Sequence, residues 1–320
     1  MLVKHVLVRE IHLCGPTASG KSAIAERLAL EFNGEIISVD SAQIYRGMDI
    51  GTAKSIQELR AKIPHHLIDI LEPEQSYSAA QFAADASLAI QDIQARGKLA
   101  ILVGGTMLYF RALARGLSAL PASNPELRAA LQADLSQRGS AALHADLARV
   151  DQKAALRIHA NDSQRILRAL EVFQQTGTPI SELQVKDSSN AIDSHAPELL
   201  RIALFPTDRA NLHHKIAERF AAMMDLGLLA EVAALRARPA LTQDHPSMRS
   251  VGYRQAWEHL SGAYGSDELR QKGIAATRQL AKRQITWLRS DPFLWCLDSD
   301  VADVYSQIAS RLENNDKIAN

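Results

Sequence analysis

Residues Gly15–Ser22 read GPTASGKS, a full match to the pattern G-x-x-x-x-G-K-[ST]. No other stretch limits the fold so tightly, because this pattern needs a strand before it and a helix after it. Both are present in outline. The apolar run Ile11–Leu13 leads in, and Ser22–Phe32 carries helical apolar spacing. The physical demand is a loop of backbone N–H groups turned inward around a phosphate. Gly15 and Gly20 tolerate the angles of such a turn, and the helix start adds partial positive charge. This reading assigns phosphate binding to Gly15, Pro16, Thr17, Ala18, Ser19, Gly20, Lys21 and Ser22. Lys21 would pair with the terminal phosphate, and the Ser22 hydroxyl would be a ligand to Mg²⁺. A glycine-rich turn with a chance lysine is the plain alternative. Phosphate is all that the motif specifies: a kinase, a hydrolase and a diphosphate-releasing transferase fit it equally.

The rest of the chain predicts an α/β fold, a P-loop NTPase-like parallel sheet flanked by helices. Further strand candidates are Glu35–Val39, Leu99–Val103 and Leu200–Phe205, and a helix is expected over Ala79–Arg96, closed by Gly97. From Asn124 to about Gln175 only helical periodicity occurs, with starts at Asn124, Asp151 and Asn161 and a stop at Gly177. The polar stretch Val185–Glu198 reads as a loop. The expected division is a core of 1–120 and 198–312, an all-helical insertion over 121–197, and a tail at 313–320. The part after Phe205 reads as largely helical until the apolar run Phe293–Leu297.

Composition mainly excludes. Apolar residues at 47% and charged residues at 22% fit a globular protein, and 36 basic against 36 acidic residues leave no global sign of a nucleic-acid partner. Cys14 and Cys296 lack disulfide or zinc spacing and suit a reducing cytosol. The N-terminal segment has neither a signal-peptide core nor a membrane-length apolar run, so a cytoplasmic protein without membrane partners is expected. A monomer is expected too. The adjacent pairs His65-His66 and His213-His214 lack the spacing of common zinc sites.

An ordinary P-loop ATPase carries an apolar strand ending in Asp. Here Leu99–Val103 runs instead into Gly104-Gly105-Thr106, while Glu35–Val39 ends in Asp40. Ligands of open α/β sheets sit beyond the carboxyl ends of the strands, so Asp40 and Thr106 should share a crevice with the phosphate loop. The segments GPTASGKS, SVDSAQIYRGMDIGTAK (Ser38–Lys54), PHHLIDI (Pro64–Ile70) and YSAAQF (Tyr77–Phe82) open a longer series. LVGGTMLYFRAL (Leu102–Leu113), RSVGYRQAW (Arg249–Trp257) and TRQLAKRQITWLR (Thr277–Arg289) complete it. Together and in this order, they resemble the tRNA dimethylallyltransferase family.

That resemblance implies transfer of a dimethylallyl group from dimethylallyl diphosphate to N6 of the adenosine beside the anticodon, with Mg²⁺ present. It implies Asp40 as the general base and Thr106 as a hydrogen-bond donor near the bridging diphosphate oxygen. Arg219 is a candidate diphosphate clamp, though a solvated helix-face arginine is the competing reading. Read without the family, Asp40 could equally cap a helix or support the metal, and Thr106 could be an N-cap.

An RNA surface has a partly independent sign. The span Arg270–Ser290 holds Arg270, Lys272, Arg278, Lys282, Arg283 and Arg289, no acidic residue, and Trp287. Basic groups beside an aromatic ring suit RNA, and a solvated helix face explains them as well. The resemblance places tRNA contacts at Asp40, Ser41, Ala42 and Gln43, at Thr106, and at Gln164, Arg165, Ile166, Leu167 and Arg168. It adds Arg249, Ser250, Val251, Gly252, Tyr253 and Arg254. On the basic span it adds Lys282, Arg283, Gln284, Ile285, Thr286, Trp287, Leu288 and Arg289. Arg128 is a further candidate. The expected partners are thus the tRNA anticodon stem-loop and dimethylallyl diphosphate. A small-molecule kinase and a nucleotide-gated RNA-binding protein are the competing functions.

Overall fold

The computed structural model describes residues 8–116, 120–185, 198–292 and 294–314. Those within Met1–Leu113 and Asp193–Asn320 form one compact unit, and those within Ala114–Ile192 form a second. No helix among the described residues is long and apolar enough to cross a membrane.

The larger unit is built on strands β1 (Glu10–Cys14), β2 (Gly34–Val39), β3 (His65–His66), β4 (Leu99–Gly104), β5 (Leu199–Phe205) and β6 (Trp295–Asp298). They make one sheet in the order β3-β2-β4-β1-β5-β6, and every pairing is parallel. The register brings the carboxyl ends level: Gly104 lies opposite Val39 on one side and Cys14 on the other, and Cys14 lies opposite Ala203. The loops that follow these strands therefore leave the sheet together.

Helices cover both faces, which is why β2 and β4 are buried at every position. One face carries Ile11, Leu13, Ile36, Ile101 and Ile202, packed by α1 (Lys21–Glu31) and by the last helix, Val304–Asn314. The other carries Cys14, Ile37, Val39, Ala100, Leu102 and Ala203. Onto it pack α3 (Ala79–Ala95), α4 (Met107–Arg115) and Leu288 near the end of a long helix, Ser266–Arg289. The short helix α2 (Gln57–Arg60) precedes β3. A third cluster joins Ile44, Tyr45 and Met48 to Phe220, Leu228, Val232, Tyr253 and Ala256.

The second unit is helical: α5 (Pro125–Val150), α6 (Gln152–Arg157), α7 (Ser163–Thr176) and α8 (Ile180–Val185). Its caps are the expected polar residues. Asn124 accepts from the Glu126 and Leu127 amides, Asp151 from Ala154, and Asp162 from Arg165, one residue beyond the predicted start. Gly177, with a positive φ of 68°, closes α7. Gly139 (φ 80°) kinks α5. Back in the first unit follow α9 (Arg209–Asp225), α10 (Leu228–Arg236), α11 (Tyr253–Leu260), α12 (Ser266–Arg289) and α13 (Val304–Asn314).

The structure adds to the sequence reading at two places. The segment PHHLIDI supplies the edge strand β3, and the apolar run after α12 becomes β6 from Trp295 onward; its Phe293 lies outside the described residues. So does most of the loop expected over Val185–Glu198 and of the tail expected at 313–320, whose first two residues end α13.

Candidate active site

The phosphate loop turns through two residues of positive φ, Ala18 (64°) and Gly20 (80°). Gly20 stands at the N-cap of α1 and supplies no side-chain cap, and the first turn holds no acidic residue. The amides at this helix start are thus available to an anion. Gly15 sits in a tight space: a Cβ there would lie 2.7 Å from the Ser19 Oγ and 3.3 Å from the Leu204 Cβ. That Ser19 hydroxyl is buried and has no hydrogen-bond partner among the described residues, while Ser22 is exposed. Lys21 folds back to donate from Nζ to the Pro16 carbonyl at 3.1 Å. Burial pushes its pKa down to about 8, the nearby Arg219 pushes the same way, and Asp40 opposes both.

Asp40 and Thr106 follow β2 and β4 and are joined there. Gly104 admits this approach, since a Cβ on it would lie 2.0 Å from the Val39 carbonyl oxygen. The Thr106 amide donates to that same carbonyl at 3.1 Å, and the Thr106 Oγ1 accepts from the Ser41 amide at 3.1 Å. The Asp40 Oδ1 accepts from the Ala42 amide at 2.8 Å and the Gln43 amide at 3.4 Å, a local turn that fixes the carboxylate. Its Oδ2 carries no hydrogen bond among the described residues. Gln43 is also pinned, accepting from the Ser38 hydroxyl at 2.8 Å and donating to the Thr52 carbonyl at 3.2 Å.

Arg219, on α9, is half-buried, and burial lowers its pKa while Asp40 raises it. Lys21, Arg219 and Asp40 thus act on one another electrostatically, yet no ion pair joins either cation to the carboxylate among the described residues. Two cations and an N–H cradle stand beside one carboxylate with a free oxygen. Such a place can bind a multiply charged anion and accept a proton next to it. The fourth contributor is Gln284 of α12. Its Oε1 accepts from the Thr17 amide at 2.9 Å, and its Nε2 donates to the Gly105 carbonyl at 2.9 Å.

The IPP transferase family model matches residues 43–291. A tRNA dimethylallyltransferase of Herminiimonas arsenicoxydans is 54% identical over 310 residues, covering 96% of each chain. Another, from Chromobacterium violaceum, is 57% identical and covers 88% of this chain and 86% of its own. This chain belongs to the IPP transferase family. Among solved structures, the tRNA isopentenylpyrophosphate transferase of Bacillus halodurans is 35% identical, with a TM-score of 0.68 over 97% of this chain and 99% of its own. A eukaryotic dimethylallyltransferase acting on tRNA is 26% identical, with a TM-score of 0.79 over 98% of this chain and 80% of its own.

In this IPP transferase, the basic helix α12 sorts its residues by face. Gly273, Ala281, Gln284 and Leu288 point inward, whereas Arg270, Lys272, Arg278, Lys282, Arg283, Thr286, Trp287 and Arg289 are exposed. Ile285 is half-buried against Leu212 and Ile216. The Arg111 guanidinium lies 5.8 Å from the Trp287 ring centroid, an exposed pair whose contact the sequence did not show.

Several residues expected to contact RNA are turned into the protein. Tyr253 is fully buried, not displayed between Arg249 and Arg254, because its ring fills the space over Gly51 and its phenol donates to Glu231. Gly252 beside it is buried, while Ser250 and Val251 are half-buried. Arg249 and Arg254 remain exposed, near Asp244 and Glu258 respectively. Ile166 and Leu167 lie in the core of the helical unit, and Gln164 and Arg165 are exposed. Arg168 and Arg128 both bind the fully buried Glu171, at 3.0 and 3.2 Å. Burial would raise the Glu171 pKa. Hydrogen bonds from Ser123, Arg168 and the Asn124 amide outweigh it and hold the carboxyl below its usual range.

Of two supporting residues, Glu231 carried no sequence signal and Lys54 closes the segment Ser38–Lys54 without a role marked there. Glu231 accepts from the amides of Asp49 (2.9 Å), Ile50 (2.8 Å) and Gly51 (3.2 Å), fixing the loop downstream of Asp40. Lys54 is buried and donates to the Tyr45 carbonyl, Asp49 and Asp69 at 2.5–2.7 Å. The histidine pairs find structural work: His66 meets the buried Glu35 at 2.7 Å, and His214 meets Glu218 at 3.1 Å.

Proposed function

We propose that this chain transfers the dimethylallyl group of dimethylallyl diphosphate to N6 of the adenosine 3′-adjacent to the anticodon in tRNA, releasing diphosphate. The observation that carries this reading is the uncapped helix start of the phosphate loop at the level ends of β1, β2 and β4, where Asp40 and Thr106 are fixed by their own hydrogen bonds and Lys21 and Arg219 act electrostatically on Asp40. It has the parts such a transfer needs and lacks the strand-end acid of an ATPase after β4. The family relatives named above support it.

In the reaction, the lone pair of N6 attacks C1 of the allyl group as the C1–O bond breaks, and that electron pair leaves with diphosphate. Positive charge on C1 spreads over the double bond, so the protein mainly aligns the reactants, stabilises the leaving group and keeps water out. Lys21, Arg219 and the amides at the start of α1 hold the diphosphate oxygens. The Thr106 hydroxyl accepts from the Ser41 amide and makes only a long 3.5 Å contact as donor to the Ser41 hydroxyl, so with the donor bound its hydrogen turns to the bridging oxygen, where negative charge develops. The free Oδ2 of Asp40 takes the N6 proton.

The donor set fits a hard divalent cation. Ser22 is exposed at the helix start, and the buried Ser19 hydroxyl has no partner among the described residues. Mg²⁺ held at Ser22 would neutralise part of the diphosphate charge. RNA contacts are assigned to the exposed side of α12, Asp40–Gln43, Arg249 and Arg254, and to Gln164 and Arg165 of the helical unit. Bringing the adenine to Asp40 requires unstacking it, at a cost of a few kcal/mol, about what contacts to a flipped base offset. The chain acts in the cytoplasm as a monomer in this reading.

The test supplies labelled dimethylallyl diphosphate, Mg²⁺ and unmodified tRNA to wild type, Asp40→Ala and Lys21→Ala. Label should enter tRNA with wild type and fall at least about a hundredfold with either variant. ATP turnover on a small acceptor, with no label in RNA, would replace this function with a kinase.

A further inference from the structure

We propose that Gln284 is a positioning residue for the diphosphate site rather than a reader of RNA, an inference that rests on the transfer reaction above. Gln284 sits in the middle of the basic stretch of α12, where its neighbours Lys282 and Arg283 are exposed, yet it is itself 9% exposed. Its one amide spans two parts of the site. Oε1 accepts from the Thr17 amide inside the phosphate loop, and Nε2 donates to the Gly105 carbonyl at the end of β4, each at 2.9 Å.

The fit is built from both sides. A Cβ on Gly105 would lie 2.2 Å from the Gln284 Nε2, so the glycine makes room for this amide. The next residue along, Thr106, binds the Val39 carbonyl and the Ser41 amide, which flank Asp40. A single side chain therefore sets the spacing between the loop that holds the leaving group and the strand end that carries Thr106 and the base. It also takes up the Thr17 amide, so that this N–H is directed to α12 while the amides at the helix start are left for the anion. An uncharged amide can accept on one side and donate on the other without bringing a charge beside the diphosphate.

The conservative test is Gln284→Met, which keeps length and volume and removes both hydrogen bonds. Gly105→Ala is the second variant, because its methyl expels the same amide from the opposite side. Each should lower kcat/KM for dimethylallyl diphosphate by about tenfold or more through displacement of the loop. Each should also weaken inorganic diphosphate binding and speed hydrogen exchange at the Thr17 amide, with tRNA affinity unchanged within about twofold. The double variant Gly105→Ala/Gln284→Ala should be no worse than Gln284→Ala alone, as expected when both changes act on one contact. Loss of tRNA affinity with an unchanged diphosphate affinity would make Gln284 an RNA contact and overturn the proposal. Additive losses in the double variant would overturn it as well. If wild type transferred nothing to tRNA, the functional reading would fail, and diphosphate affinity and Thr17 exchange would still decide the role of Gln284.

Discussion

The charge state of Lys21 offers the sharpest test of the site. Its pKa falls from the usual 10.5 to about 8, through burial first and through Arg219 second, with Asp40 pulling it back up. In the proposed reaction the ammonium form is the one that attracts the diphosphate, and kcat/KM reports the free enzyme. Activity toward the donor should therefore be flat below pH 7 to 8 and fall about tenfold per pH unit above about 8, or about 1.4 kcal/mol of binding per unit. An unperturbed lysine would keep the plateau beyond pH 9.5. The assay is kcat/KM for dimethylallyl diphosphate at saturating tRNA from pH 6 to 9.5. Lys21→Arg separates this titration from every other group, because a guanidinium stays charged throughout. That variant should have a lower plateau and no alkaline fall. In Arg219→Gln the repelling cation is gone, so the fall should move to higher pH even though the plateau drops. An alkaline limb that persists unchanged in Lys21→Arg would refute the assignment to Lys21. A limb unmoved in Arg219→Gln would refute the proximity of the two cations.

Other substitutions test the scaffold. Gly104→Ala drives a methyl group into the Val39 carbonyl and should cost about 3 kcal/mol or more, read as a drop in Tm. Glu35, buried at 1% exposure, is held down to about 2 by Arg96 first, with Lys98 and His66 also donating and burial opposing. A carboxyl with a depressed folded pKa stabilises above its unfolded value near 4.5 and loses that stability as pH falls toward 2. The contribution is at most about 3 kcal/mol, reduced by solvent around the half-exposed Arg96 and Lys98. Urea midpoints should therefore fall between pH 4.5 and 2.5 more steeply in wild type than in Glu35→Gln; parallel curves would dismiss the cluster. Tyr253→Phe should lose about 1 kcal/mol of stability with the Glu231 bond and leave tRNA affinity within about twofold. A large loss of affinity at full stability would restore a base-stacking role for that ring.

What could be read from the residues was what repeats or what is chemically compulsory. Strands buried on both faces leave apolar runs such as Glu35–Val39 and Leu99–Val103, and the phosphate loop announces its own flanks. Caps at Asn124, Asp151 and Gly177 mark helix ends because few residues do that job. The edge strand β3 was hidden, since two histidines have no periodicity to show. Facing was the larger difficulty. A charge run declares a helix basic without telling that Gln284 and Leu288 turn inward, and an aromatic between arginines looks like Tyr253 whether it stacks on a base or fills a core. Arg219 lay in a helix with ordinary neighbours. Only the packing of α9 brings it into the field of Lys21 and Asp40.

The sheet order has a bearing on how the chain is made. β1 emerges first but is flanked by β4 and β5, whose residues follow roughly 90 and 190 positions later, as the register pairs of Glu10 with Ala100 and Leu199 record. Synthesis proceeds from the N-terminus, and pairings this distant carry a large loop-closure cost until both partners exist. The phosphate loop waits longer still, because its Thr17 amide meets Gln284 only when α12 has left the ribosome. The earliest motif in the chain is thus among the last to acquire its working shape, so that a nascent chain stalled before α12 carries the phosphate motif without the contact that sets it.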